Sequence, residues 1–168
     1  VFTTVEFITR HTISILAKSF MNVKHIYEQR NFMIEKAHMD NEFEPLRSVL
    51  QEAGVTLNTP AAGEHVPDIE RRIRVIKERA RACRHTLPFD FIPRVMIIAI
   101  IRNAVLWLNA FPPKGGVSKD TSPRTIITGE KFDYNKHCRL TVGAYAQVHD
   151  NETNSSPAAR THGGICLG

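Results

Sequence analysis

Between Asp68 and Leu87, in DIERRIRVIKERARACRHTL, one acid and four cations recur at helical spacing: Glu70, Arg74, Lys77, Arg81 and Arg84. Wound at 100° per residue, they share roughly a quarter of the helix circumference, with the acid at the start and the cations along the following turns. A polyanion laid on that line would meet its cations and bring a phosphate near the Glu70 carboxylate. The alternative for the same residues is an ordinary solvated basic face. Ile69, Ile73, Ile76, Ala80, Cys83 and Leu87 form a separate apolar stripe, which predicts an amphipathic helix docked on a core through that stripe.

Other site chemistries find less support. The eight histidines are scattered, and His137-Cys138 with His149 lacks zinc-ligand spacing. There is no phosphate loop, dinucleotide fingerprint or G-x-S-x-G elbow. Cys83 falls in an apolar stripe and reads as core rather than as a nucleophile. The three cysteines have no C-x-x-C spacing and no apolar leader precedes them, which predicts a reducing intracellular setting, nucleus or cytoplasm. Asn151-Glu152-Thr153 matches a glycosylation sequon and reads as a chance match in a polar loop. A net charge of +5 favours an acidic partner, of which nucleic acid is the commonest.

The 168 residues, 42% hydrophobic and 23% charged, suit one globular domain with a small appendage. Val1 to Ile8 is β-branched and aromatic, predicting a strand that opens abruptly, without Met, as if cut from something longer. Ile13, Leu16, Ala17, Phe20, Val23 and Tyr27 predict a helix over about Thr12 to Arg30, with Lys18, Asn22 and Lys24 outward. Met33 to Met39 fits a strand ending near Asp40. Asn41 then caps a helix with Phe43, Leu46, Leu50 and Ala53 inward, Pro45 in its first turn and Gly54 as its stop. Val55 to Thr59 is a further strand, and Thr59 to His65 a loop. Ile92 to Phe111 is very apolar, but Arg94, Arg102, Asn103 and Asn109 interrupt it, so it reads as a buried or self-associating helix rather than a membrane span. After Pro112-Pro113 a linker contains one short helix, capped by Ser122 with Pro123 in its first turn and closed by Gly129. Only short strand-like runs come after Cys138, notably Ala144 to His149 and Ile165 to Leu167.

Asp40-Asn41-Glu42-Phe43 at a strand end, Gly54-Val55, and Ile69-Glu70-Arg71 opening a basic helix resemble the second half of a copia-type retroelement integrase core, including its relatives in diatoms and other algae. Ser122-Pro123 with Ile127-Thr128-Gly129, then Val142-Gly143-Ala144-Tyr145 and the terminal Gly164 to Gly168, resemble the region downstream of that core in such polyproteins. The resemblance implies an α/β chain: an incomplete ribonuclease-H-like fold in the order strand-helix-strand-helix-strand-helix-helix over 1–111, a linker over 112–136, and part of an SH3-like β-barrel over 137–168. It also implies descent from a polynucleotidyl transferase that joins DNA strands. In that family two Asp and one Glu hold two Mg²⁺ ions, whose hard oxygen ligands clamp the attacking and leaving oxygens of phosphodiester exchange. Asp40 matches the second Asp and Glu70 the Glu, and Arg74, Lys77, Arg81 and Arg84 would lie along DNA. Without the resemblance, Asp40 is an Asp beside a helix cap and Glu70 an acid favoured by the helix dipole.

Two departures shape the expected activity. The family's first Asp lies on a strand that would precede Val1, so the resemblance implies a fragment with an incomplete Mg²⁺ site, inactive as it stands. DNEF stands where DNGGEF is common, and the interval from Asp40 to Glu70 is shorter than usual. The other function class open to the sequence is a non-catalytic module that grips nucleic acid with helix 68–87, or assembles with a second copy through 92–111.

Overall fold

Local apolar spacing builds the first helix. In the computed structural model, which describes residues 1–60, 67–149 and 159–168, α1 spans Ile13–Glu28. Asn31 ends it in the left-handed region at φ 60°, where the Phe32 amide donates to the Tyr27 carbonyl at 3.2 Å. Leu16, Ala17 and Phe20 turn inward as the spacing predicts, while Ile13 stays exposed.

The strand expected over Met33 to Met39 is shorter, β1 at Lys36–His38, and its partner is β2 at Thr56–Asn58. They pair in parallel, Lys36 with Thr56, Ala37 with Leu57 and His38 with Asn58, so Ala37 and Leu57 point together into the core. The connection differs in detail from the expected helix. Residues Asn41–Leu46 form a 3₁₀ helix behind Asp40, and α2 begins only at Arg47, running to Glu52. Pro45 carries no N–H to donate and sits in the 3₁₀ segment, so the α pattern is taken up beyond it. The capping position therefore belongs to Asp40 rather than Asn41. Leu46 and Leu50 are buried as anticipated, and with Ala37, Val55 and Leu57 they make the core on which α1 rests.

Val1 to Ile8 is extended but pairs with no strand among the described residues, which corrects the expected first strand. At Thr3 a side chain takes up the backbone groups instead. The Thr3 amide donates to Asn109 Oδ1 at 2.9 Å and the Asn109 amide nitrogen donates to the Thr3 carbonyl at 2.6 Å. Phe2 meets Tyr27 edge to face, and the Arg102 guanidinium lies 5.4 Å from the centre of the Phe7 ring. The segment thus ties α1 to the long apolar helix.

That helix, α4 at Arg94–Ala110, comes after α3 at Pro67–His85. Met96, Ala99, Ile100, Ala104, Val105, Asn109 and Ala110 are its buried face. No helix among the described residues is long and apolar enough to cross a membrane. The short helix expected after Ser122 is present as α5, Pro123–Thr128; the Ser122 hydroxyl accepts from the Thr125 amide, and Gly129 closes it at φ 76°. An unanticipated turn, α6 at Tyr134–His137, is capped by Asp133, whose carboxylate accepts from the amides of Asn135 and Lys136. The last elements are β3, Tyr145–His149, and β4, Thr161–Ile165, an antiparallel pair running from Tyr145 opposite Ile165 to His149 opposite Thr161. β4 therefore starts earlier than the run Ile165 to Leu167 suggested. A Cβ at Gly143, where φ is 87°, would fall 2.1 Å from Leu87 Cδ2, so Leu87, just beyond α3, packs on this bare backbone. Each sheet among the described residues has two strands. The sequon at 151–153 and most of the 59–65 loop lie outside those residues.

Candidate nucleic-acid interface

The interface rests on α3, which runs almost as the sequence predicts. Which face it buries is different. Arg72, Val75, Ile76, Ala80 and Cys83 are its partly buried positions, whereas Ile69 and Ile73, expected in the core, are 44% and 45% exposed. At 100° per residue the packed face is therefore turned roughly 45° from the apolar stripe. The physical reason is tertiary. Arg72 is partly buried and its Nε donates to Thr3 Oγ1 at 2.7 Å, and Val1 to Thr4 line one cleft with Ile69, Arg72, Ile73 and Ile76, so the N-terminal segment lies along that side of α3. Burial, together with the positive charge of Arg79, pulls the Arg72 guanidinium below its ordinary value.

This rotation leaves the expected cationic line clear of the packed face. Arg74, Lys77, Arg81 and Arg84 are all exposed, and none forms an ion pair among the described residues. Four cations on one side of a rigid helix, spread over about three turns, suit a chain of phosphates. Among the described residues no carboxylate pairs with them.

The two candidate carboxylates lie elsewhere on the framework. Asp40 is exposed where the chain leaves the C-terminal end of β1, and Glu70 is exposed in the first turn of α3. Because β1 and β2 are parallel, the chain that leads on to α3 departs from the same sheet edge as Asp40. Asp40 and Glu70 belong to no group of three or more His, Cys, Asp or Glu side chains able to hold a metal among the described residues.

Just after Asp40 is an arrangement that sequence reasoning missed. Both Glu44 oxygens accept from Arg47, Nη2 at 2.8 Å among them, and Glu44 Oε2 also accepts from Thr59 Oγ1 at 3.2 Å. Arg47 Nη1 donates to the Leu57 carbonyl at 2.9 Å. The Arg47 hydrogen bond holds the Glu44 carboxyl below the usual carboxylate range. This network fastens the 3₁₀ segment after Asp40 to the end of β2. The i, i+3 spacing of Glu44 and Arg47 was the available signal for the pair, but nothing local pointed to Thr59 or Leu57.

No family model matches the chain, and no curated protein matches it. Among solved structures it is similar to the catalytic core domain of BIV integrase, with a TM-score of 0.46 and 20% identity, over 73% of this chain and 74% of that one. A likeness this distant says nothing about activity.

Proposed function

We propose that the chain is a nucleic-acid-holding part of a copia-type retroelement integrase, with duplex DNA lying along the cationic side of α3. The observation that carries the reading is the exposed line Arg74, Lys77, Arg81 and Arg84, unpaired among the described residues. The order of motifs from Asp40 to Leu167 supplies the family, including the ribonuclease-H-like ancestry of 1–111 and the SH3-like ancestry of 137–168. Under this reading Asp40 and Glu70 descend from the metal-holding carboxylates. They offer the hard oxygens that Mg²⁺ prefers, but with no third such group beside them among the described residues the donor set falls short of a two-metal site. In this proposal the chain by itself holds DNA without joining its ends.

The test is the salt dependence of duplex binding. Neutralising about four phosphates makes log affinity fall against log salt with a slope of roughly 3 to 4 in magnitude. Replacing Arg74, Lys77, Arg81 and Arg84 together by Ala, with helicity checked by circular dichroism, should remove most of that slope; an unchanged slope refutes the assignment of this face to DNA. Mg²⁺-dependent joining of DNA ends by the isolated chain, lost in Asp40→Asn, would refute the claim that it is inactive alone.

A further inference from the structure

A second pair of cations occupies the other side of the same helix. Arg72 and Arg79 are seven residues apart, hence two turns apart on one face, roughly 170° around α3 from the centre of the Arg74 to Arg84 line. They line a cleft of about 300 Å³ together with Trp107, Phe111, Pro112 and Pro113 at the end of α4. Neither arginine forms an ion pair among the described residues, and the hydrogen bond to Thr3 engages only Nε of Arg72. The aromatic wall is prearranged: the Trp107 and Phe111 rings stack at 5.9 Å with 11° between their planes, and Phe111 remains half exposed. Two guanidiniums that repel one another beside an exposed ring are a poor arrangement for an empty surface. An anion between them would relieve the repulsion, and a planar group attached to that anion would find the ring.

We propose that this cleft is a separate contact for single-stranded nucleic acid, in which Arg72 and Arg79 hold one phosphate and an adjoining base lies against Phe111. Because it is nearly opposite the cationic line, a duplex lying along that line does not reach it. The cleft would receive a strand that leaves the duplex. This contact rests on the DNA reading of α3, yet the two fail separately, since duplex binding reports on the first face and single-strand binding on the second.

The experiment measures anisotropy of a labelled short oligothymidylate and, in parallel, of a labelled duplex, across a salt series. The Arg72→Gln/Arg79→Gln double variant should lower the single-strand slope by about 0.7 in magnitude, the share of one phosphate, and leave the duplex slope unaltered. Arg79→Gln alone, at an exposed residue with no hydrogen bond to lose, should give about half that change, which keeps the test valid if the loss of the Arg72–Thr3 bond disturbs folding. Phe111→Ala should weaken single-strand binding about 5- to 150-fold without changing its slope, as loss of one base–aromatic stack does. An unchanged single-strand slope in Arg79→Gln overturns the proposal. So does an equal loss on duplex and single strand, which would deny the cleft a separate role. Thymidine monophosphate or inorganic phosphate binding as tightly as the oligonucleotide would also overturn it, by making the ligand a free phosphate rather than a strand.

Discussion

Asn109→Ala tests whether one buried amide fixes α3 in place. Asn109 is 6% exposed and pairs with both backbone groups of Thr3, at 2.9 Å and 2.6 Å, while the Thr3 hydroxyl accepts from Arg72 of α3. Removing the amide takes two hydrogen bonds from a partly buried peptide unit. At about 0.5 to 1.5 kcal/mol net for each, the expected loss is about 2 kcal/mol. For a chain of this length that corresponds to a fall in Tm of about 4 to 8 °C, read by calorimetry or far-ultraviolet circular dichroism. Asn109→Asp keeps the acceptor for the Thr3 amide but sets a carboxylate against the Thr3 carbonyl, so it should be at least as damaging. Thr3→Val removes the acceptor used by Arg72. Because releasing Thr3 also loosens that bond, the Asn109→Ala and Thr3→Val effects should be non-additive by about 0.5 kcal/mol or more. A Tm change below about 1 °C in Asn109→Ala, or strict additivity of the pair, would refute the reasoning.

Leu50 is fully buried against Leu46, Val55 and Leu57, and Leu50→Ala should cost about 2 to 5 kcal/mol in denaturant unfolding, the range for a cavity left in a packed core. The Glu44 carboxyl is held below its ordinary value of 4.5 by Arg47, so its ion pair stabilises the fold above that value and is lost as pH falls through the lower folded value; Glu44→Gln should flatten this acid limb of a stability–pH curve. Cys83 and Cys138 line the same cavity of about 640 Å³, but burial pushes the Cys83 thiol up while Cys138 is exposed. Iodoacetamide should therefore alkylate Cys138 first and Cys83 more slowly, with denaturant removing the difference, as peptide mass mapping would read; equal rates in the native protein would contradict the packing of α3.

The sequence by itself determined the elements whose signals are local. The apolar spacing of Leu16, Ala17 and Phe20, the Ser122-Pro123 start with its Gly129 stop, and the cationic periodicity from Arg74 to Arg84 each require only neighbouring residues, and each was legible at its place. Tertiary structure decided what depends on distant partners. An extended Val1 to Ile8 has strand propensity, yet a strand exists only if another strand takes up its N–H and C=O groups, and here a side chain 106 residues away takes up those of Thr3. In the same way Ile69 and Ile73 are apolar enough for a core, but they lie half exposed along a cleft whose other wall is Val1 to Thr4, a segment far away in sequence. The short strand-like runs near the C-terminus set β3 well and β4 poorly, because register is fixed by pairing with Tyr145 to His149 and not by the composition of Thr161–Ile165, which includes two glycines. The cleft of Arg72 and Arg79 was invisible for a related reason. Helical spacing alone shows that the two arginines share a face, while only the packing of α3 against the end of α4 sets Trp107 and Phe111 beside them.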